Sequence, residues 1–303
     1  MINLLFYKLN KNRMKIRSSI SLIVAILSFW SVSSKAQLNP FQSQYYTNRY
    51  LANPAMAGVE KGIALNLSYR SQFNNIPGAP VSQNLTADYG FDRVGLGLNL
   101  TLDKAGLQRF VRALASYAYH LPLNNGSSAL HFGLSAGIIN QRLATDDLIG
   151  NPNDNLVGLY NQRQTHFDGD VGIAYTSTHI TAELALPNLK NLLWKDNGNL
   201  ADLPTFYSAL SYKIPIEDAE LEPKLAYRGI KGLDNIWDAG AQLSFIKKQI
   251  MLNGIYHSSG STSFGLAMDY QKKYLIGFSH TLQTSSLSSY ANGDFEISLR
   301  LRL

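Results

Sequence analysis

The chain has 303 residues, with 27 Lys and Arg against 21 Asp and Glu and no cysteine. The lack of cysteine excludes disulfides, thiolate metal sites, iron–sulfur clusters, cysteine nucleophiles and a lipidated N-terminal cysteine. With 45% hydrophobic and 16% charged residues, 17 Tyr and 13 Phe, the composition excludes a disordered chain and a coiled coil.

The formal charge of +6 hints at nucleic acid or anionic lipid, but it is not spread along the chain. Lys8, Lys11, Arg13, Lys15, Arg17 and Lys35 lie in the first 36 residues with no acid among them, and the remainder holds 21 bases against 21 acids. No basic patch or nucleic-acid motif is left, so nucleic acid is not an expected partner. Arg13, Lys15 and Arg17 precede a short apolar run, Ile20 to Val32, followed by Ser34-Lys35-Ala36. That order is a positive n-region, an h-region and a cleavage site. The run is too short to span a bilayer as a helix. Residues 1–36 are therefore predicted to be a signal peptide, with Met14 as an alternative start and Gln37 as the first mature residue.

The next segment, 37–61, is predicted to be non-strand. Asn53-Pro54 is a turn-type dipeptide, and Gly58 permits a tight bend before the first strand. This segment is expected on the periplasmic side, where it lies in a barrel mouth, docks a partner or serves only as a packed tail.

From residue 62 onward period-two alternation predominates. Ile63, Leu65, Leu67 and Tyr69 alternate with Ala64, Asn66, Ser68 and Arg70, and Val94, Leu96, Leu98, Leu100 and Leu102 alternate with small or polar residues. Such a pattern is a strand with two unlike faces. Fourteen strands are predicted, near 62–70, 81–90, 93–103, 109–121, 129–142, 167–177, 179–186, 205–214, 221–229, 235–246, 249–257, 262–270, 273–282 and 293–303. Most have the length of a tilted membrane-spanning strand.

The loops sort by parity. Connections after odd-numbered strands include the long ones, 71–80, 143–166, 187–204 and 283–292. Those after even-numbered strands are tight, as at Phe91-Asp92, Thr178, Lys247-Lys248 and Gln271-Lys272, or modest, as at Pro122–Ser128 and Pro215–Glu220. Outer-membrane barrels show this asymmetry, with short periplasmic turns and longer external loops. One face of each strand is rich in Leu, Val, Ile, Phe and Tyr. The other mixes Gly, Ser, Asn and Thr with charges such as Arg70, Asp88, Glu183, Glu222, Lys224, Arg228 and Asp238. Tyrosines near strand ends, among them Tyr69, Tyr89, Tyr119, Tyr175, Tyr212, Tyr227, Tyr256, Tyr270 and Tyr274, fit aromatic girdles. The predicted fold is all-β, a transmembrane antiparallel up-and-down barrel of about fourteen strands over 62–303, embedded in outer-membrane lipid with both termini periplasmic.

The ordered motifs carry a resemblance. Gln44-Tyr45-Tyr46-Thr47-Asn48 is followed by Asn53-Pro54-Ala55-Met56-Ala57-Gly58, then Tyr69-Arg70-Ser71-Gln72-Phe73 and Pro77-Gly78-Ala79-Pro80. Further on come Gly95-Leu96-Gly97, Asp103-Lys104-Ala105-Gly106, Tyr117-Ala118-Tyr119, Gly133-Leu134-Ser135-Ala136-Gly137, Leu186-Pro187-Asn188-Leu189 and Phe295-Glu296-Ile297-Ser298-Leu299-Arg300. The series resembles the PorP/SprF family, outer-membrane proteins of the type IX secretion and gliding machinery of Bacteroidetes. The resemblance implies a non-catalytic accessory barrel. Its implied partners are secretion-machinery proteins of the periplasm and outer membrane and a secreted or surface-adhesin protein. On these motifs the candidate partner-contact residues are Gln44, Asn48, Asn53, Pro54, Gly58, Arg70, Pro77, Gly78, Pro80, Asp103 and Gly106. Loop 143–166, rich in Asn, Asp and Gly, is a further candidate contact surface.

Chemistry finds little support. Six scattered histidines form no metal-binding spacing, and no cofactor motif is present, Gly95-Leu96-Gly97 lying inside a strand. Asp146, Asp147 and Asp154 fit no calcium loop. Two other functions compete with the secretion reading: a porin or specific-solute channel, from the polar face, and an outer-membrane hydrolase, from His257-Ser258 alone.

Overall fold

A computed structural model of the chain describes residues 44–73, 77–144, 165–193, 204–230, 234–283 and 293–303. The signal-peptide reading of 1–36, most of loop 143–166 with its aspartates, and much of loops 187–204 and 283–292 lie outside the described residues. Fifteen antiparallel strands form one sheet. They are β1 (Gly62–Gln72), β2 (Val81–Phe91), β3 (Val94–Ala105), β4 (Gln108–Leu123), β5 (Ser128–Leu143), β6 (His166–Ser177), β7 (Ile180–Leu186), β8 (Pro204–Tyr212), β9 (Ile214–Ile216), β10 (Ala219–Ile230), β11 (Ile236–Phe245), β12 (Ile250–His257), β13 (Ser261–Tyr270), β14 (Tyr274–Gln283) and β15 (Asp294–Arg302).

β8 and β9 both pair with β10 and are parted by Lys213 alone. They form one broken stave, so the wall has fourteen positions. Each strand pairs with its neighbours in sequence, and β15 returns to β1 with Arg70 opposite Glu296 and Ala64 opposite Arg302. The sheet thus closes into an up-and-down barrel, and closure leaves no edge to pair with another chain. All fourteen predicted strands are present, with ends within two residues of the sequence reading.

The alternation sorts as the pattern requires. Leu67, Leu98, Leu134 and Leu266 point out and are half exposed, while Ser68, Thr86, Ser116 and Ser263 point in and are buried. Among the described residues no helix is long and apolar enough to cross a membrane, and the apolar band belongs to the strands. Exposed aromatic residues collect at both ends of the staves. Tyr89, Phe91, Tyr119, Tyr212, Tyr270 and Tyr274 mark the end with the short turns, and Tyr69, Phe167, Tyr227, Trp237, Tyr256 and Phe295 the end with the long loops.

Candidate functional site: the occupied lumen

An up-and-down barrel with a polar inner face leaves a lumen to fill. Here the chain places its own segment Gln44–Gly58 inside it. Tyr45, Tyr50, Leu51, Asn53, Ala55, Met56 and Ala57 are all buried, Asn53, Ala55 and Ala57 completely. The segment folds as a turn, with Asn48 N donating to Gln44 O, and two 3₁₀ turns, Arg49–Leu51 and Pro54–Met56. Asn53 starts the second turn. It is extended, as a residue before proline should be, and its Oδ1 accepts from Ala55 N at 3.0 Å while Pro54 occupies the first helical position. Its Nδ2 donates outward to the wall, to Ile173 O at 3.1 Å and Leu184 O at 3.3 Å.

The wall receives this segment in two chemically different ways. On β2 to β6 the receiving residues are glycines. A Cβ on Gly95 would overlap the Ala57 carbonyl, one on Gly133 the Pro54–Ala55 backbone, and one on Gly172 the Asn53 side chain. These glycines allow backbone to approach backbone, which a side chain would prevent. Gly97 gives space to the Tyr50 ring, whose hydroxyl donates to Ser116 Oγ at 2.8 Å. Gly58 N closes the contact by donating to Asp88 Oδ2 at 2.9 Å.

On β7 to β13 the receiving residues are charged. Arg49 pairs with Glu222 at 2.5 Å. Lys224 donates to the Tyr45 carbonyl at 2.8 Å and to Glu183 at 3.2 Å, and its Nζ lies over the Tyr45 and Tyr46 rings. Tyr45 OH donates to Asp238 Oδ2 at 2.5 Å, and Arg228 donates to the same oxygen at 2.9 Å. His257 hydrogen-bonds Asp238 Oδ1 at 2.7 Å through Nδ1 and Ser263 Oγ at 2.9 Å through Nε2, and Ser263 meets Thr281 at 2.7 Å. On the remaining side Gln44 Nε2 reaches Ser68 and Glu296, Asn48 reaches Thr86, and Arg300 reaches the Thr47 carbonyl. Burial pushes the hydroxyls of Tyr45, Tyr46 and Tyr50 above their ordinary range, with the Asp238 charge adding to this at Tyr45 and Arg228 opposing it. All three stay neutral, so Tyr45 and Tyr50 remain hydrogen-bond donors at physiological pH.

The structure divides the sequence-predicted contact residues into two groups. Gln44, Asn48, Asn53, Pro54 and Gly58 are in the lumen, holding the segment to the wall. Arg70 also faces inward, paired with Asp294 at 2.5 Å, both almost fully buried. Asp103 lies across the ladder from Ser82, near Arg70. Pro77, Gly78, Pro80 and Gly106 instead sit together at the long-loop end, where Gly106 N donates to Gly78 O at 2.8 Å. Tyr45, Arg49 and Tyr50 belong to the site as well. Their signal in the sequence was the run of charged residues on the polar face, which needs partners once water is excluded.

The His257-Ser258 pair does not form. Ser258 Oγ accepts from Trp237 N at 3.0 Å, and His257 turns to Asp238 and Ser263. The Asp238–His257–Ser263 order is that of a nucleophile relay, but His257 and Ser263 are wholly buried and Ser263 is engaged by Thr281. The string joins β11, β12, β13 and β14 to Tyr45. Among the described residues no group of three or more His, Cys, Asp or Glu is placed to hold a metal.

The chain matches the model of the type IX secretion system membrane protein PorP/SprF over residues 34–301. It belongs to the PorP/SprF family. A closed up-and-down barrel with an apolar outer face, in a family of membrane proteins, is an outer-membrane barrel. No curated protein matches the chain. Among solved structures, the toluene transporter TbuX of Ralstonia pickettii is similar at 12% identity, over 90% of this chain and 96% of its own, with a TM-score of 0.54. The toluene transporter TodX of Pseudomonas putida is similar at 10% identity, over 90% and 96%, with a TM-score of 0.50. The outer membrane protein Omp33 of Acinetobacter baumannii matches at 8% identity over 81% and 100%, with a TM-score of 0.47. At such identities the likeness to TbuX and TodX is one of fold alone.

Proposed function

We propose that this PorP/SprF barrel is a non-enzymatic accessory of the type IX secretion and gliding machinery, which assists secretion or surface attachment of a partner protein. In this reading the short turns and both termini face the periplasm, where other machinery proteins bind. The long loops face outward toward a secreted or adhesin partner. The observation that carries it is the lumen occupied by residues 44–58, held by glycines on one side and by an ion pair and hydrogen bonds to charged side chains on the other. A barrel stoppered by its own chain is suited to binding proteins at its rims rather than to passing solutes.

The porin or solute-channel alternative draws on the polar inner face and on the fold shared with TbuX and TodX. Two measurements separate the readings. Purified protein in a planar bilayer is expected to show no steady conductance, and deletion of the gene is expected to abolish surface display of at least one secreted protein. A steady open pore together with normal secretion of every cargo would establish the channel instead.

A further inference from the structure

Six turns ring the short-turn end, and their charges differ. Asp92-Arg93 cancels, Asn124–Ser127 and Thr178-His179 carry no formal charge, and Glu217-Asp218 is acidic. The β11–β12 and β13–β14 turns carry Lys247-Lys248 and Lys272-Lys273, all four exposed. These two turns are neighbours on the rim. Asp269 N donates to Gln249 O at 2.8 Å, and Arg302 N donates to Lys273 O at 2.9 Å, so the basic stretch continues to β15. Adjacent staves lie about 5 Å apart, so the four lysines fall within about 15 Å of arc.

Most other cations of this sector are neutralised. Arg300 pairs with Asp269, Arg302 with Glu60 and Lys248 with Glu220. Lys247, Lys272 and Lys273 have no carboxylate within ion-pair reach among the described residues. Directly beside them the outer wall presents Ile246, Met268, Tyr270 and Tyr274, all strongly exposed, with Tyr270 opposite Tyr274 in the ladder. Lys273 Nζ lies 5.6 Å from the Tyr274 ring centroid.

We infer that Lys247, Lys272 and Lys273 form a binding site for the phosphate headgroup of an anionic phospholipid in the leaflet on the short-turn side. The tyrosines fix the depth of this rim at the boundary between acyl chains and water, because their rings are apolar and their hydroxyls are not. At that depth a lysine places its ammonium among headgroups while its stem lies on apolar surface. Uncompensated positive charge there attracts anionic lipid, at roughly fivefold in binding per lysine. The acyl chains then lie along the Met268, Tyr270 and Tyr274 surface. The acidic turn next along the rim, Glu217-Asp218, confines the attraction to one sector. The site does not depend on the secretion reading, since it concerns only the barrel and its lipid.

The test is native mass spectrometry of the full chain, extracted in mild detergent and supplied with equal phosphatidylglycerol and phosphatidylcholine. Wild-type protein is expected to retain phosphatidylglycerol. The Lys247→Gln, Lys272→Gln, Lys273→Gln variant is expected to bind it about a hundredfold less tightly. Replacement of the same three by Arg is expected to restore binding, and Glu217→Gln with Asp218→Asn not to weaken it. Heat-modifiable migration on gels checks that each variant is a folded barrel. Equal retention by wild type and the triple Gln variant, or equal retention of phosphatidylcholine, would overturn the assignment. So would unchanged lipid binding with loss of a crosslink to an acidic periplasmic protein, which would make the rim a protein interface.

Discussion

The two halves of the lumen wall hold the same segment by different physics. On β2 to β6 the wall yields space: Gly95, Gly133 and Gly172 lie where any side chain would strike residues 53–57. On β7 to β13 the wall supplies charge: Glu222, Lys224 and Asp238 meet Arg49 and Tyr45, with Glu183 behind Lys224 and Arg228 beside Asp238. The first contact depends on shape and tolerates no added volume. The second depends on complementarity and tolerates no missing partner. The difference shows why one short segment can serve as a stopper. Its second 3₁₀ turn is seated by close packing and its N-terminal half is oriented by directed hydrogen bonds, so neither sliding nor rotation preserves both.

Breaking the charged wall is expected to have the largest effect. Arg49→Leu leaves Glu222 buried without its partner, which costs about 3–5 kcal/mol. Urea unfolding of the purified barrel measures this, and the double change Arg49→Leu, Glu222→Leu is expected to recover most of the loss. A single change no worse than the double would show that the pair is not a closed unit.

Gly133→Val tests the other wall. The added methyls strike backbone rather than a mobile side chain, so the destabilisation is expected at about 3 kcal/mol, the upper part of the overpacking range. Because the segment is pushed from its seat, single-channel conductance is expected to appear, whereas Gly254→Ala, where a Cβ would meet only the Phe264 ring at ordinary contact distance, is expected to stay closed. Closed bilayer traces from Gly133→Val would mean that the glycine wall does not seat the stopper.

Tyr45→Phe removes one donor to Asp238 but leaves Arg228 and His257 on that carboxylate, so about 2 kcal/mol is expected. Tyr50→Phe removes a bond between neutral hydroxyls, and about 1 kcal/mol is expected from the same unfolding experiment. If Tyr50→Phe cost more than Tyr45→Phe, the division of the lumen into a shape wall and a charge wall would have to be redrawn.

The sequence by itself determined the wall. Period-two alternation assigns each residue a face from its immediate neighbours, and tight turns force antiparallel pairing between consecutive strands. Strand number, strand ends and the parity of the loops therefore followed from local pattern. The polar face was legible too, down to Glu183, Lys224 and Asp238. The motifs Gln44–Asn48 and Asn53–Gly58 lie in the lumenal segment, and Asn53-Pro54 marked its turn.

Only the tertiary structure decided what those residues face. The Gln44–Glu296 hydrogen bond joins positions 252 residues apart, and Tyr45–Asp238 joins positions 193 apart. No local period encodes such a contact. A glycine at 95, 133 or 172 reads in a strand as a weak position, and its reason appears only when another stretch of backbone lies against it. The side chains of His257 and Ser258 part for a related cause. His257 ends β12 facing the lumen and bonds across the ladder to β11 and β13, while Ser258, in the turn that follows, accepts from Trp237 N.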